Sequence, residues 1–467
     1  MINPRLCMKI EEGKWFFIDF ILLGALRVNG ENRFWSLLVL NFGQVLFRQG
    51  LIFIIRGSVH LYSSRIKDAY TIEFLKGCMM QKVKADIVSK YLLHKQHLLD
   101  TSKANTVLEV IDDIIALHAT SAATPYLSLF ERMKQFQRGQ LDRELYINRN
   151  LIRLGSMRRT LFILPTKAAS MVFQATRMSE EQSLQILKVW SIPHSEYQRI
   201  ADSIFTVLKD GPQPIRIIKQ AMSPGLIRTI ELPAGKNIAR MTNVNIVLTV
   251  LQQQGKVFSE KFSDPILTRQ ANRYALIRTL YPSLNLESFN PEEAQIQLVK
   301  RYIEVFGPVT ENDITWWTGL GKTIIQTALA RLETELLPIQ IKNSADAYLM
   351  LKSDYNKLKR FKGPRALPVL LLPYEDPYLK GYQQRNRLMT TENEKAVYVG
   401  GEARPSVMVG GKIVGIWNRV FEDSNNVIEI LLFQGLGRSE KNILMEKARL
   451  QSLMMTGKEF QVIIKTR

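Results

Sequence analysis

Apolar residues recur at helical spacing from Val107 to Leu117, with Leu108, Ile111 and Ile115 on one face. Thr124-Pro125 then signals a second helix, as an N-cap followed by proline at the first helical position. The spacing predicts helix, bend, helix, with His118-Ala119-Thr120 on the bend. On extended backbone side chains two apart share a side, so His118 and Thr120 converge while Ala119 turns inward. After a basic stretch holding Arg153, Arg158 and Arg159, the apolar run 160–164 predicts a strand, which completes a winged-helix pattern. The order recurs. A helix over 200–208 is stopped by Asp210-Gly211-Pro212, and a shorter helix over 215–221, a helix over 240–253 and a strand from Gly255 follow. A third copy runs as a helix over 298–306, a Gly307-Pro308 break with Thr310 as N-cap, and helices over 311–317 and 323–332. Gly-Pro breaks at matching points of the second and third copies mark an internal repeat. Beyond residue 353 the pattern changes to short apolar strands at 365–373, 397–400, 406–409, 412–417 and 427–432, with Gly410-Gly411 as a two-residue hairpin and a closing helix over 441–453. The expected fold class is α+β: three tandem winged-helix units, at 84–190, 191–290 and 291–355, followed by a C-terminal small β-barrel at 356–467.

Residues 1–83 form an N-terminal extension of a different character. The apolar runs at 15–26, 34–47 and 51–55 are each broken by a charge or an amide, and fall short of the roughly 18 apolar residues that a membrane span requires. Two glutamates precede the first run and no small-residue cleavage site follows it, so a secretory signal is not expected. Three readings stand: a small apolar appendage packed on the body, a membrane-surface anchor, or an upstream extension outside the working protein. The last is favoured, and no membrane contact is expected.

Composition narrows the partners. Among 467 residues, 63 Lys and Arg face 43 Asp and Glu, and the net charge of +20 with a pI of about 9.8 favours a polyanionic partner. Nucleic acid comes first and an anionic membrane surface second. The two cysteines, Cys7 and Cys78, have no His/Cys ligand spacing around them, so neither a disulfide framework nor a metal site is expected. Gly319-Leu320-Gly321-Lys322-Thr323 lacks the four-residue spacer of a phosphate loop and follows no strand, so no nucleotide or other cofactor is expected. A monomer in a reducing, cytoplasmic, DNA-associated setting fits these features.

Five segments carry a family resemblance: LHAT with SLFERM, LIRLGSMRRTLFILP, LVKRYIEVFGPVTENDITWWTGL, LLPYEDPYLKGYQQR and VMVGGKIVGIWNR. In this order, over about residues 84–465, the chain resembles the AlkZ-like winged-helix DNA glycosylases. The resemblance implies a cradle of three winged helices and a β-barrel wrapped round duplex DNA. It also implies monofunctional excision of N7-alkylated purines, in some members from interstrand crosslinks. The family's catalytic pair is Gln-x-Gln or Gln-x-Asp, and the matching positions here are His118 and Thr120. N-glycosidic hydrolysis passes through an oxocarbenium-like sugar, so the site needs a held water and support for positive charge. A neutral imidazole with a hydroxyl offers the hydrogen-bonding inventory of two carboxamides, and an imidazole can also act as a base.

The candidate site residues are accordingly His118 and Thr120 for catalysis, Arg132, Arg153, Arg158, Arg159, Thr160, Lys322 and Arg385 for DNA binding, and Asp376 and Tyr378 for the lesion. Each has a plainer reading beside it. The arginines can form a solvated face, and an Asp–Arg pair near the strand end of LLPYEDPY is either structural or turned to the lesion. Trp316-Trp317 reads as a core plug rather than a base-stacking platform. Two function classes remain: a lesion-specific DNA glycosylase, and a non-catalytic winged-helix DNA-binding protein, such as a transcriptional regulator, that kept the cradle. A polar cleft at positions 118 and 120 open to DNA favours the first, and a filled one the second.

Overall fold

The computed structural model describes the strands Arg5–Ile10, Lys14–Val28 and Glu31–Leu40, and residues 80–467 apart from 235–236, 262–271 and 422–425. The chain divides into two units, Met1–Met79 and Met80–Arg467. In the first, the three strands pair as an antiparallel meander. No helix among the described residues is long and apolar enough to cross a membrane.

The second unit mixes helices with small sheets. One sheet joins Leu117–His118, Leu161–Pro165 and Leu151–Gly155, all antiparallel. Another joins Val257–Lys261, Asn272–Leu276 and Gln213–Pro214. In a third, Leu336–Ile341 pairs antiparallel with Ala347–Leu351 and parallel with Gln81–Val83. Several helix starts follow from their caps. Thr106 accepts from the Glu109 N–H, Asn290 caps a helix with Pro291 at its first position, and Thr310 forms a capping box with Asp313. At 240–253 the single helix expected divides in two. Asn237–Thr242 pairs in a hairpin with Thr229–Ala234, and Thr242 caps the helix Asn243–Gln253.

The C-terminal block orders its strands as Val369–Leu372, Ser406–Val409, Lys412–Phe421, Asn426–Leu432 and Gln461–Thr466. Gly410 and Gly411 turn the expected hairpin with φ of 61° and 77°, a conformation that glycine adopts without steric cost. Where a small β-barrel is expected, the described strands form an open sheet. The helix Arg438–Thr456 is a crossover, and it returns the chain so that the last strand pairs parallel to its neighbour. Among the described residues no pairing joins that strand to Val369–Leu372.

One core joins the first helices to this sheet. Val110, Ile111, Ile114, Leu117, Tyr126, Leu127 and Leu129 pack in a single cluster with Leu371, Val407, Trp417, Ile428, Leu444 and Ala448. Each fully buried side chain of this size contributes about 1.5–3 kcal/mol of hydrophobic stabilisation. A second cluster, from Leu187 to Leu276, gathers around the helices His194–Leu208 and Asn243–Gln253.

The parallel pairing of Gln81–Val83 sets a boundary that the sequence pattern placed a few residues later. A chain starting at Met80 is expected to fold cooperatively, because it keeps this strand. A chain starting at Ala85 should melt at lower temperature, by about 2–4 °C for each kcal/mol of lost pairing. Thermal unfolding by circular dichroism checks this. Equal melting of the two would deny the strand a role, and failure of the Met80 chain to fold would show that the first 79 residues complete a core.

Candidate active site

The helix Val107–Asp113 ends abruptly, with Ile115 at a φ of 73°, a left-handed conformation unusual for a β-branched residue. The chain leaves extended and pairs at once with Leu161–Pro165. Leu117 stands opposite Ile163 and His118 opposite Phe162, and the Ala119 N–H donates to the Leu161 carbonyl at 2.7 Å. Alternation on this strand sends Leu117 and Ala119 into the core and turns His118 and Thr120 onto one cleft. The convergence expected from a bend is thus produced by a two-residue strand. The second helix starts one residue earlier than expected, at Thr124. Ala123 takes the N-cap position, and the Thr124 hydroxyl donates to the Tyr374 carbonyl at 2.8 Å instead of capping.

The cleft, of about 210 Å³, lies between His118, Thr120, Arg158, Thr160 and Phe162 on one side and Tyr374, Glu375, Lys380 and Gly400–Glu402 on the other, with Phe306 and Trp317 against it. Arg158 is carried on the turn after the strand Leu151–Gly155, with a φ of 55°. Gly319 lies directly beneath it. Its φ is 73°, and a β-carbon there would meet the Arg158 backbone nitrogen at 3.0 Å, so the close approach requires glycine.

His118 is 5% exposed, and burial pushes its imidazole down to about 4, helped by the positive charges of Lys380 and Arg158. At neutral pH it is uncharged. Its Nε2 lies 3.5 Å from Glu375 Oε2, and its Nδ1 is buried without a hydrogen-bond partner. Phe162 and Tyr374 meet the ring edge-on, with centroids 5.3 and 6.4 Å away. Glu375 Oε1 accepts from the Ala403 N–H at 2.6 Å and from Lys380 Nζ at 3.2 Å, and Lys380 also donates to the Gly401 carbonyl at 2.8 Å. Burial lowers the Lys380 ammonium from its ordinary range, opposed by the charge of Glu375. Burial and a hydrogen bond to Glu402 raise the Tyr374 hydroxyl.

Four of the expected residues meet in this cleft: His118, Thr120, Arg158 and Thr160. Arg385 stands near it through Trp316, whose ring carries Arg158 at 4.0 Å and both Arg385 and Lys380 at 5.2 Å from its centroid. Arg385 also pairs with Glu394 at 2.9 Å and lies 3.6 Å over Tyr398. The tryptophan pair therefore divides. Trp317 is the core plug, packed on Tyr302 and Phe306, and half-buried Trp316 is a platform for cations. Arg159 and Lys322 are exposed and outside the cleft. Arg153 lines a separate small cavity, half-buried, with Nη1 3.4 Å from Ser259 Oγ.

Three of the expected site residues are buried. Arg132 and Asp376, both 0% exposed, form a two-pronged ion pair with both contacts at 2.8 Å, and Tyr378 is 1% exposed. Neither a phosphate nor a base reaches them. Ser128 Oγ and the Tyr378 N–H also donate to Asp376, so the pair clamps the helix Thr124–Arg132 to the loop that carries Glu375. The Asp376 partner is Arg132, not Arg385.

Lys380 carries no signal in the sequence pattern, and Glu375 stands there only as the neighbour of Asp376, outside the expected site. A signal for Glu375 was present. Asp376-Pro377 has the form of an N-cap with proline at the first helical position, which marks Asp376 as structural and leaves Glu375 as the carboxylate of PYED to face the cleft.

The family model described as "DNA glycosylase AlkZ-like" matches residues 111–452 of this chain. Among solved structures, the Streptomyces sahachiroi DNA glycosylase AlkZ matches with a TM-score of 0.61 at 16% sequence identity, over 82% of this chain and 100% of that one. At that identity the likeness is one of fold. No curated protein matches the chain.

Proposed function

Since the chain belongs to the AlkZ-like DNA glycosylase family, we propose that it hydrolyses the N-glycosidic bond of alkylated purines, N7-alkylguanine above all, in duplex DNA. An N7-linked interstrand crosslink presents the same cationic purine and is the second substrate proposed. The helices around the three three-stranded sheets of the Met80–Arg467 unit support a reading as three winged-helix units that cradle the duplex, with the open C-terminal sheet packed on the first. The exposed cations Arg158, Arg159 and Lys322 suit phosphate contacts.

The observation that carries this reading is the cleft on which His118 and Thr120 both front together with Arg158, Glu375 and Lys380. A non-catalytic DNA-binding protein has no need of such a cleft, and a packed one would have favoured that alternative. An N7-alkylated purine already bears a positive charge, so it leaves without a general acid. The protein has to hold a water and support charge on the sugar. Burial keeps the His118 imidazole neutral, which preserves its hydrogen-bonding capacity and adds no positive charge beside the oxocarbenium-like sugar.

Incubation of the protein with duplex DNA containing one N7-methylguanine, followed by alkali, should cleave the strand at the lesion. Without alkali the strand should stay whole, because a monofunctional glycosylase stops at the abasic site. No alkali-dependent break would overturn the proposed activity and leave the DNA-binding alternative. Binding itself should weaken linearly, in log–log terms, as salt rises, by about 10³–10⁵ between roughly 50 and 200 mM for six to ten phosphate contacts. Affinity unchanged over that range would refute the cradle.

A further inference from the structure

We propose that Glu375 is the catalytic base of this cleft, taking the proton of the attacking water, and that His118 positions it. The inference rests on the glycosylase reading above and assigns the step that reading leaves open.

The two neighbouring carboxylates differ in how their oxygens are used. Both oxygens of Asp376 are taken by Arg132, and Ser128 and the Tyr378 N–H complete its shell. It is saturated and has no access to substrate. Glu375 commits one oxygen, Oε1, to the Ala403 N–H and to Lys380. Its second oxygen, Oε2, is turned to His118, and the residue lines the cleft. Its backbone has a φ of 54°, costly for a residue with a side chain, and the Glu375 N–H is tied to the Ala403 carbonyl at 2.9 Å. The loop holds the glutamate in that conformation at a place where a glycine would fit more easily.

The imidazole is a poor candidate for the base in this geometry. His118 Nδ1 is buried without a partner, and a bare ring nitrogen there costs less than an unpaired N–H. That places the proton on Nε2, the nitrogen that faces Glu375 Oε2. The ring then has no lone pair to offer the cleft and instead orients the carboxylate, as Lys380 does from the other side. A carboxylate lining the cleft is also the kind of group that supports positive charge on the sugar.

The step balances. A water oxygen bonds to C1′ of the sugar while the C1′–N bond breaks, and that bond's electron pair passes to the cationic purine, which leaves neutral. The proton released by the water goes to Glu375 Oε2 and from there to solvent. The products are a free alkylated purine and an abasic sugar.

The test uses the full chain and single-turnover excision of N7-methylguanine from duplex DNA. Glu375→Gln, of equal size, should excise at least about a hundredfold more slowly, with lesion-DNA affinity unchanged. Glu375→Ala should be as slow, and added formate should restore its rate at least tenfold, since a small carboxylate can occupy the vacated space. A merely structural Glu375 gives no such rescue. If the Gln and Ala variants do not fold, Glu375→Asp decides, because it keeps the charge near Lys380 and withdraws the base by one methylene. A loss of tenfold or more at unchanged affinity supports the base, and a wild-type rate overturns it. Excision by Glu375→Gln at the wild-type rate, or a folded Glu375→Ala that ignores formate, overturns the assignment alone. A wild-type protein that excises nothing overturns both this assignment and the glycosylase reading beneath it.

Discussion

Arg132→Ala should destabilise the Met80–Arg467 unit by about 3–5 kcal/mol, the cost of leaving a buried charge without its partner. The guanidinium is fully buried, donates to both oxygens of Asp376 and reaches the Ser128 carbonyl at 3.1 Å. Removing it strands a carboxylate in the interior, at a point where the helix Thr124–Arg132 meets the cleft-bearing loop. Asp376→Ala should cost as much by the same route. Replacement of both, as Arg132→Met with Asp376→Leu, should cost clearly less than the sum, because no unpaired charge remains. Denaturant unfolding of the four proteins measures these differences. A loss below about 1 kcal/mol for Arg132→Ala would mean that water reaches the pair. The salt slope of DNA binding supplies a second check. A phosphate contact removed would lower the slope by about one, and for a folded Arg132 variant no change is expected.

Local signals in the chain were legible wherever they depended on near neighbours. Helical spacing located the helices Val107–Asp113 and Glu311–Thr318, and Gly410-Gly411 gave its hairpin, because periodicity, caps and positive φ act within a few residues. Partners far along the chain were not legible. Arg132 and Asp376 lie 244 residues apart, and nothing beside Arg132 in sequence distinguishes a buried guanidinium from a phosphate ligand. Gln81–Val83 finds its sheet at Leu336–Ile341, and three residues carry no period to announce it. The open C-terminal sheet has the same cause. The closing helix was legible, but the parallel partner chosen by the strand after it is decided by tertiary packing. At the cleft, His118 and Thr120 could be read from their spacing, whereas Glu375 and Lys380 reach them only through the fold.

His118→Ala and Thr120→Ala should each slow single-turnover excision at least tenfold, and the double variant should lose less than the product of the two, as residues acting on one water do. Lesion-DNA affinity should change little, since contacts elsewhere on the duplex dominate it. Burial fixes the pH dependence. With the imidazole near 4, the wild-type rate should be flat from about pH 6 to 8, whereas an imidazole at its ordinary value would make it climb through that interval. His118→Gln restores a carboxamide at this position. Retained activity would mean that the side chain holds and orients, and lost activity would mean that the imidazole itself is required. The same variant has a stability signature. The folded imidazole lies below its unfolded value of 6.5, so the unfolded chain binds the extra proton between the two. Stability from this group is therefore complete above about pH 6.5 and drains away as pH falls toward about 4, by up to about 3 kcal/mol. In His118→Gln that acid limb should flatten by the same amount, while the groups common to both proteins keep their own dependence. Denaturant unfolding of the two proteins between those pH values measures the difference. Parallel acid limbs would show an imidazole that titrates as if in water. If both alanine variants excise at the wild-type rate, the chemistry lies elsewhere on the duplex-facing surface, and the assignment of positions 118 and 120 fails with them.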